Sequence, residues 1–189
     1  MSAAPYSAGP HFYLISLGAN LGDRAANLTR ALSILEADPR NDVVTVSQLW
    51  ETPPHLPADY DRNPDAPAHP PYLNACAVLR SALDPDPFLE TLLEAERRMG
   101  RVRDPQGPRY QPRPIDLDVI VWDGGPWHSA SLELPHPRFE ERGFVLLPMR
   151  EVLAAMPGPV RRLYDMDGLI GGLPGNETAS CQPVGSLLR

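Results

Sequence analysis

The stretch RPIDLDVIVW, Arg113 to Trp122, sets two aspartates one residue apart inside a run of apolar and β-branched residues. Alternation with a period of two marks a strand, because successive side chains leave opposite faces of a pleated chain. Ile115, Leu117 and Val119 then share one face and can pack on helices. Asp116 and Asp118 share the other, about 6–7 Å apart along the chain. Such a strand needs a helical layer on its apolar face, which points to an α+β arrangement.

Working outward, FYLISLGANL (residues 12–21) opens as a strand and stops at a Gly18/Asn20/Gly22 turn. Leu28, Ala31, Leu32 and Leu35 then recur at i, i+3, i+4, i+7, predicting an amphipathic helix with Asp23 as its cap. DVVTVSQLWET (42–52) reads as a second strand ended by Pro53 and Pro54, and YLNACAVLRS (72–81) as a third. DPDPFLETLLEAERRMG is a second helix, with proline in its first turn and Gly100 just past its end. A short strand at SLELP and short helices from Pro137 to Met156 follow. The order β-α-β-β-α-β predicts a ferredoxin-like sandwich, a mostly antiparallel sheet with helices packed on one face. A single domain is expected over 12–170, after an N-terminal extension (1–11). A Gly/Pro-rich tail (171–189) is expected to be loosely ordered.

The net charge of −7 disfavours general binding to nucleic acid. All 17 basic residues are arginine. Six of them (Arg97, Arg98, Arg101, Arg103, Arg109 and Arg113) fall within residues 97–113, opposed in that window only by Asp104. That block is either a solvated basic loop or the grip for an anionic ligand. Without lysine there is no Walker-type phosphate loop, so any nucleotide clamp must be made of arginine forks. No apolar run approaches membrane-spanning length, and the N-terminal residues do not read as a secretory signal. Cys76 and Cys181 make no metal or disulfide pattern. A cytoplasmic protein is expected.

Two carboxylates on one face repel and raise each other's pKa, and a divalent cation relieves the conflict. Hard oxygens at this spacing suit Mg²⁺, which keeps waters and is shared with substrate phosphates. An exposed polar sheet face would show the same Asp-x-Asp. Several neighbours are equally two-sided. Glu96 lies at the edge of an apolar stripe, in water or reaching into an arginine-lined site. His136, between two prolines, is a surface residue or a phosphate donor. Tyr72 and Asn74 could be plain strand residues. Residues 53–71 hold seven prolines and form either a lid or a surface insertion.

Taken in order, SLGANLGDR, ETPP, YLNACA, GRVR, RYQPRPIDLDVIV and LPHPRFEERGF resemble the 6-hydroxymethyl-7,8-dihydropterin pyrophosphokinases of folate biosynthesis, over roughly residues 12–155. The resemblance implies transfer of pyrophosphate from ATP to a pterin hydroxymethyl oxygen, with release of AMP. It implies that Asp116 and Asp118 bind two Mg²⁺ ions bridging the ATP phosphates. Arg101, Arg103, Arg113 and His136 would act on the transferring group, with Glu96, Arg138 and Arg142 completing the ATP site. Thr52, Pro53, Tyr72, Asn74 and Phe144 match the pterin pocket. Tyr110 falls where the family often carries tryptophan. The segment DPQGPRYQ and the 53–71 loop are both longer than usual. The expected partners are ATP and a pterin, not nucleic acid or membrane, and a monomer is expected. The rivals are another Asp-x-Asp, Mg²⁺-dependent phosphoryl or nucleotidyl transferase, and a ferredoxin-like sensor or RNA-binding module.

Overall fold

The structure is a computed structural model that describes residues 9–55, 69–101 and 111–187. Strand β1 (His11–Ala19) leads into helix α1 (Arg24–Glu36), where Ala26 N donates to the Asp23 carboxylate at 3.0 Å, the expected cap. Strands β2 (Asn41–Val46) and β3 (Gln48–Thr52) follow, then β4 (Tyr72–Ser81) and α2 (Pro85–Arg98). Gly100, at φ +84°, ends that helix in the left-handed region that favours glycine. Strand β5 (Asp116–Trp122) completes the expected path. A small two-stranded sheet, β6 (Trp127–His128) with β7 (Glu133–Leu134), is separate from the main one.

The main sheet runs β5-β1-β4-β3, with β2 also on β4, and these pairings are antiparallel. The α+β class and the antiparallel sheet are as expected. The second strand, however, is two strands. At Ser47 the chain breaks step: Ser47 N donates to Cys76 O, its hydroxyl accepts from Cys76 N, and that hydroxyl donates to Gln48 O. A side chain that competes for backbone groups in this way interrupts a ladder.

Helices cover both faces of the sheet rather than one. On the first face, Tyr13, Ile15 and Leu17 of β1, Ala75 and Leu79 of β4, and Leu117 and Val119 of β5 pack on Leu28, Leu32, Phe88 and Leu92 of α1 and α2. Tyr13 stacks on Phe88 at 3.9 Å between ring centroids. On the second face, Leu14, Cys76, Val78, Ile120 and Val121 form another core with Val145, Leu146 and Met149 of α3 (Gly143–Val152). The short helices α4 (Gly158–Arg161), α5 (Met166–Gly172) and α6 (Gly175–Ala179) come next. The last strand among the described residues is β8 (Gln182–Ser186), which extends the sheet antiparallel to β3. The segment from Gly171 is therefore not a loose tail. Its backbone groups find partners on the β3 edge, and α6 packs on α3.

On its second face the sheet is divided along its length. One half carries the apolar residues above. The other carries Ser16 and Gly18 of β1, Tyr72 and Asn74 of β4, and Asp116 and Asp118 of β5. The register aligns them, with Gly18 opposite both Asn74 and Asp116, and Ser16 opposite Asp118. The β1–β5 register shifts by one residue at Leu14/Ile15, leaving Ile120 as the extra residue of a bulge. The Ile120 carbonyl accepts from His136 N at 2.8 Å, which ties the His136 segment to the rim of the polar half.

Candidate active site

The polar half of the sheet is the floor of a cleft of about 410 Å³. A larger groove, about 640 Å³ between α1 and α2, also carries charges, but Arg40–Asp38 and Arg97–Glu94 pair there as exposed surface ion pairs. The cleft gathers Arg101, Arg113, Asp116, Asp118, His136, Arg138 and Arg142 at one end. Thr52, Pro53, Tyr72, Asn74 and Phe144 line it too, together with Ser16, Gly18, Pro54, His55 and His69. Among the expected site residues, Arg103 and Tyr110 lie outside the described residues.

Asp116 and Asp118 stand on one face of β5, as the alternation predicts. Burial, then the neighbouring Asp116 charge, pushes the Asp118 carboxyl up from 3.8 to about 6, while Arg142 and Arg113 work against that rise. The arginines close on the carboxylates. Arg101 Nη1 donates to Asp116 Oδ1, and Arg113 Nη1 meets the same oxygen at 3.3 Å. Two like charges on one face draw in whatever cations lie nearest, and the arginines flank the strand.

Glu96 resolves toward the site. It is 1% exposed. Its Oε1 accepts from Leu117 N at 2.8 Å and from Arg101 Nη1. The turn after α2 brings Arg101 back, with Arg101 N donating to Glu96 O at 3.0 Å. Glu96 therefore grips both the β5 backbone between the two aspartates and the arginine that faces them.

His136 Nδ1 accepts from Arg138 N at 3.2 Å. Burial and the Arg142 charge depress its pKa. The ring is thus neutral at neutral pH with its proton on Nε2, poised as a donor. Burial also lowers the pKa of Arg142, against the pull of Asp118. Burial opposes the charge of Arg113, but Asp116, Tyr72 and Asp118 outweigh it.

At the other end, Asn74 is buried and its Nδ2 donates to Thr52 Oγ1 at 2.8 Å, so part of its amide is engaged by the protein. A Cβ on Gly18 would come within 2.9 Å of Asn74 Oδ1, which explains glycine there without any special φ. Arg113 lies over the Tyr72 ring at 6.0 Å and Arg142 over the Phe144 ring at 5.6 Å.

Sequence reasoning missed Asn20, Ser16, His55 and His69. Asn20 Oδ1 accepts from Arg113 N at 2.7 Å and its own N donates to Arg113 O, locking the approach to β5. The signal was present in the Gly-Ala-Asn turn, which reads only as a turn until Arg113 is seen beside it.

A family model described as 7,8-dihydro-6-hydroxymethylpterin-pyrophosphokinase (HPPK) matches residues 14–154. A 2-amino-4-hydroxy-6-hydroxymethyldihydropteridine pyrophosphokinase of Methylorubrum extorquens is 38% identical over 138 residues, 73% of this chain and 80% of that protein. The enzyme of the same name from Porphyromonas gingivalis is 38% identical over 139 residues, 73% of this chain and 88% of that protein. In Bacillus subtilis its counterpart is 33% identical over 138 residues, 73% and 75% of the two chains. Solved structures share the fold. A crystal structure of an HPPK-DHPS in complex with substrates superposes with a TM-score of 0.59 at 12% identity, over 86% of this chain and 43% of that one. Wild-type Plasmodium falciparum HPPK-DHPS with STZ-DHP gives 0.60 at 12%, again over 86% and 43%. This chain thus spans less than half the length of those structures.

Proposed function

The chain belongs to the 7,8-dihydro-6-hydroxymethylpterin-pyrophosphokinase family, and its reaction is that of the family, pyrophosphoryl transfer from ATP to hydroxymethyldihydropterin in folate synthesis; from that premise we propose how its residues divide the work. The observation that carries the proposal is the meeting, in one cleft, of an uncomfortable carboxylate pair with arginines and a neutral histidine donor.

Asp116 and Asp118 would hold Mg²⁺, two ions by the family resemblance. The donor set fits. The raised Asp118 pKa marks a site that gains by taking a cation. Among the described residues no cluster of three or more His, Cys, Asp or Glu could hold a metal, so water and phosphate oxygens must supply the other ligands, which Mg²⁺ prefers. When bound, the metal would neutralise phosphate charge and orient the attacking and leaving oxygens.

The remaining work falls to this chain's own side chains. Arg113, Arg138 and Arg142 donate to phosphate oxygens where charge develops, and the family resemblance gives Arg103 the same role. Glu96 roots Arg101 through Nη1, leaving its other N–H groups for the polyphosphate. His136 donates its Nε2–H as a neutral group. Thr52, Pro53, Tyr72, Asn74 and Phe144 receive the pterin, with Tyr72 and Phe144 offering ring faces. The family resemblance assigns Tyr110 to pterin binding as well. Such a site works by positioning and charge neutralisation, as expected for an in-line displacement at the β-phosphorus.

The test is to incubate the protein with ATP, Mg²⁺ and 6-hydroxymethyl-7,8-dihydropterin and follow the nucleotide product. AMP that depends on pterin is expected. ADP in its place would mean ordinary kinase chemistry, and neither product would mean a binding protein.

A further inference from the structure

The C-terminal segment lies beyond the stretch matched by the family model, and it returns to the cleft. Strand β8 pairs with β3, from Gln48 opposite Ser186 to Glu51 opposite Gln182. That strand runs directly into Thr52, Pro53, Pro54 and His55, one wall of the pterin end. Helix α6 meets the opposite wall. A Cβ on Gly143, the first residue of α3, would come within 2.6 Å of Glu177 O, so the α6 backbone sits directly against the residue before Phe144. Cys181 Sγ donates to the same carbonyl at 2.9 Å.

Between these walls, Glu177 Oε1 lies 3.3 Å from His55 Nδ1. The His55 ring is 6.0 Å from the Phe144 ring, tilted at 55°. The carboxylate lies beside one ring nitrogen and so constrains where the His55 ring sits next to Phe144. One side chain of α6 thus bears on the placement of a ring that lines the cleft, while its own backbone sits against Gly143, the residue before Phe144. Farther along the same walls, Glu151 of α3 accepts from Gln48 N at 2.7 Å and from Trp50 Nε1 at 2.8 Å of β3, whereas the Glu177 contact reaches His55, which lines the cleft.

We infer that Glu177 is a positioning residue for the heterocyclic substrate, acting through His55 to hold the two walls of the pterin end at their working separation. The inference rests on the pterin reading above. It makes the C-terminal segment part of the substrate site, with an effect confined to one of the two substrates.

Steady-state AMP formation by the full chain tests it, with each substrate varied in turn. For E177A, KM for hydroxymethyldihydropterin is expected to rise about tenfold, while kcat and KM for ATP stay within about twofold. H55A should match it, and the double variant should be no worse than either single one, because both remove the same contact. E177Q, which keeps an acceptor oxygen, should recover most of the loss. A merely structural role would instead lower the active fraction, cutting kcat with both KM values unchanged. That pattern, or an unaltered pterin KM in E177A and H55A, overturns the inference while the wild type still makes AMP. Effects of the two variants that multiply overturn it as well. A wild type that forms no AMP overturns the pterin reading and takes this inference with it. His55 is exposed, so H55A keeps the test open should E177A fold poorly.

Discussion

Leu117 and Asp118 are adjacent in sequence and face opposite ways, and the two faces of β5 obey different rules. Leu117, with Ile115 and Val119, is sealed against α1 and α2 and is 1% exposed. Burial of each such side chain contributes about 1.5–3 kcal/mol. Asp116 and Asp118, one step along on either side, contribute nothing of that kind. They crowd like charges over a half-buried floor, offset by the guanidinium groups of Arg101 and Arg113. One face is satisfied by packing alone; the other is left wanting a cation. Glu96 joins them, since its carboxylate accepts from Leu117 N while it holds Arg101.

That contrast can be broken from either side. The largest effect is expected for D116A, which should lower kcat by about a thousandfold or more with the thermal unfolding midpoint nearly unchanged; an active, Mg²⁺-dependent variant would remove Asp116 from the site. L117A should do the reverse, costing about 2–5 kcal/mol in denaturant unfolding while the folded fraction keeps its kcat. Equal losses of both properties in either variant would erase the division between the faces.

The smallest effect sharpens the comparison through pH. The Asp118 carboxyl binds a proton more readily in the folded protein than in the unfolded chain, at about 6 against 3.8. Its ionisation therefore subtracts stability as pH rises from about 4 through about 6, and the protein is favoured by this group only below that window. Without divalent cations, urea unfolding should show a decline on the order of 1–3 kcal/mol across it, absent in D118N and reduced by added Mg²⁺. A wild-type profile parallel to that of D118N would mean that the repulsion is already relieved by the arginines.

Much of this was legible beforehand because it depends on neighbours in sequence. Period-two alternation alone put Asp116 and Asp118 on one face. Helical spacing alone made Leu28, Ala31, Leu32 and Leu35 a buried stripe, and Asp23 capped the helix as its side chain allows. Glu96 and Asn74 were ambiguous for the opposite reason. Whether a glutamate on the edge of a stripe meets water or Arg101 depends on where β5 passes, 21 residues later. Whether Asn74 is open to a ligand depends on Thr52 across the sheet. The helices on the second face and the path of β8 could not be read locally, since both follow from which surfaces the sheet leaves uncovered.

By itself, then, the order of residues determined β1, β4 and β5 with helices α1 and α2, the pairing of two acids on one side of β5, and the supply of arginine without lysine. Those follow from bond geometry and side-chain chemistry within a few residues. Only the tertiary structure decided that Arg101 and Arg113 close on Asp116, that Ile120 bulges to receive His136, and that Glu177 reaches back to His55. Each joins groups far apart along the chain or brought together by a turn, and such contacts exist only once the sheet has chosen its register and its two layers of helix.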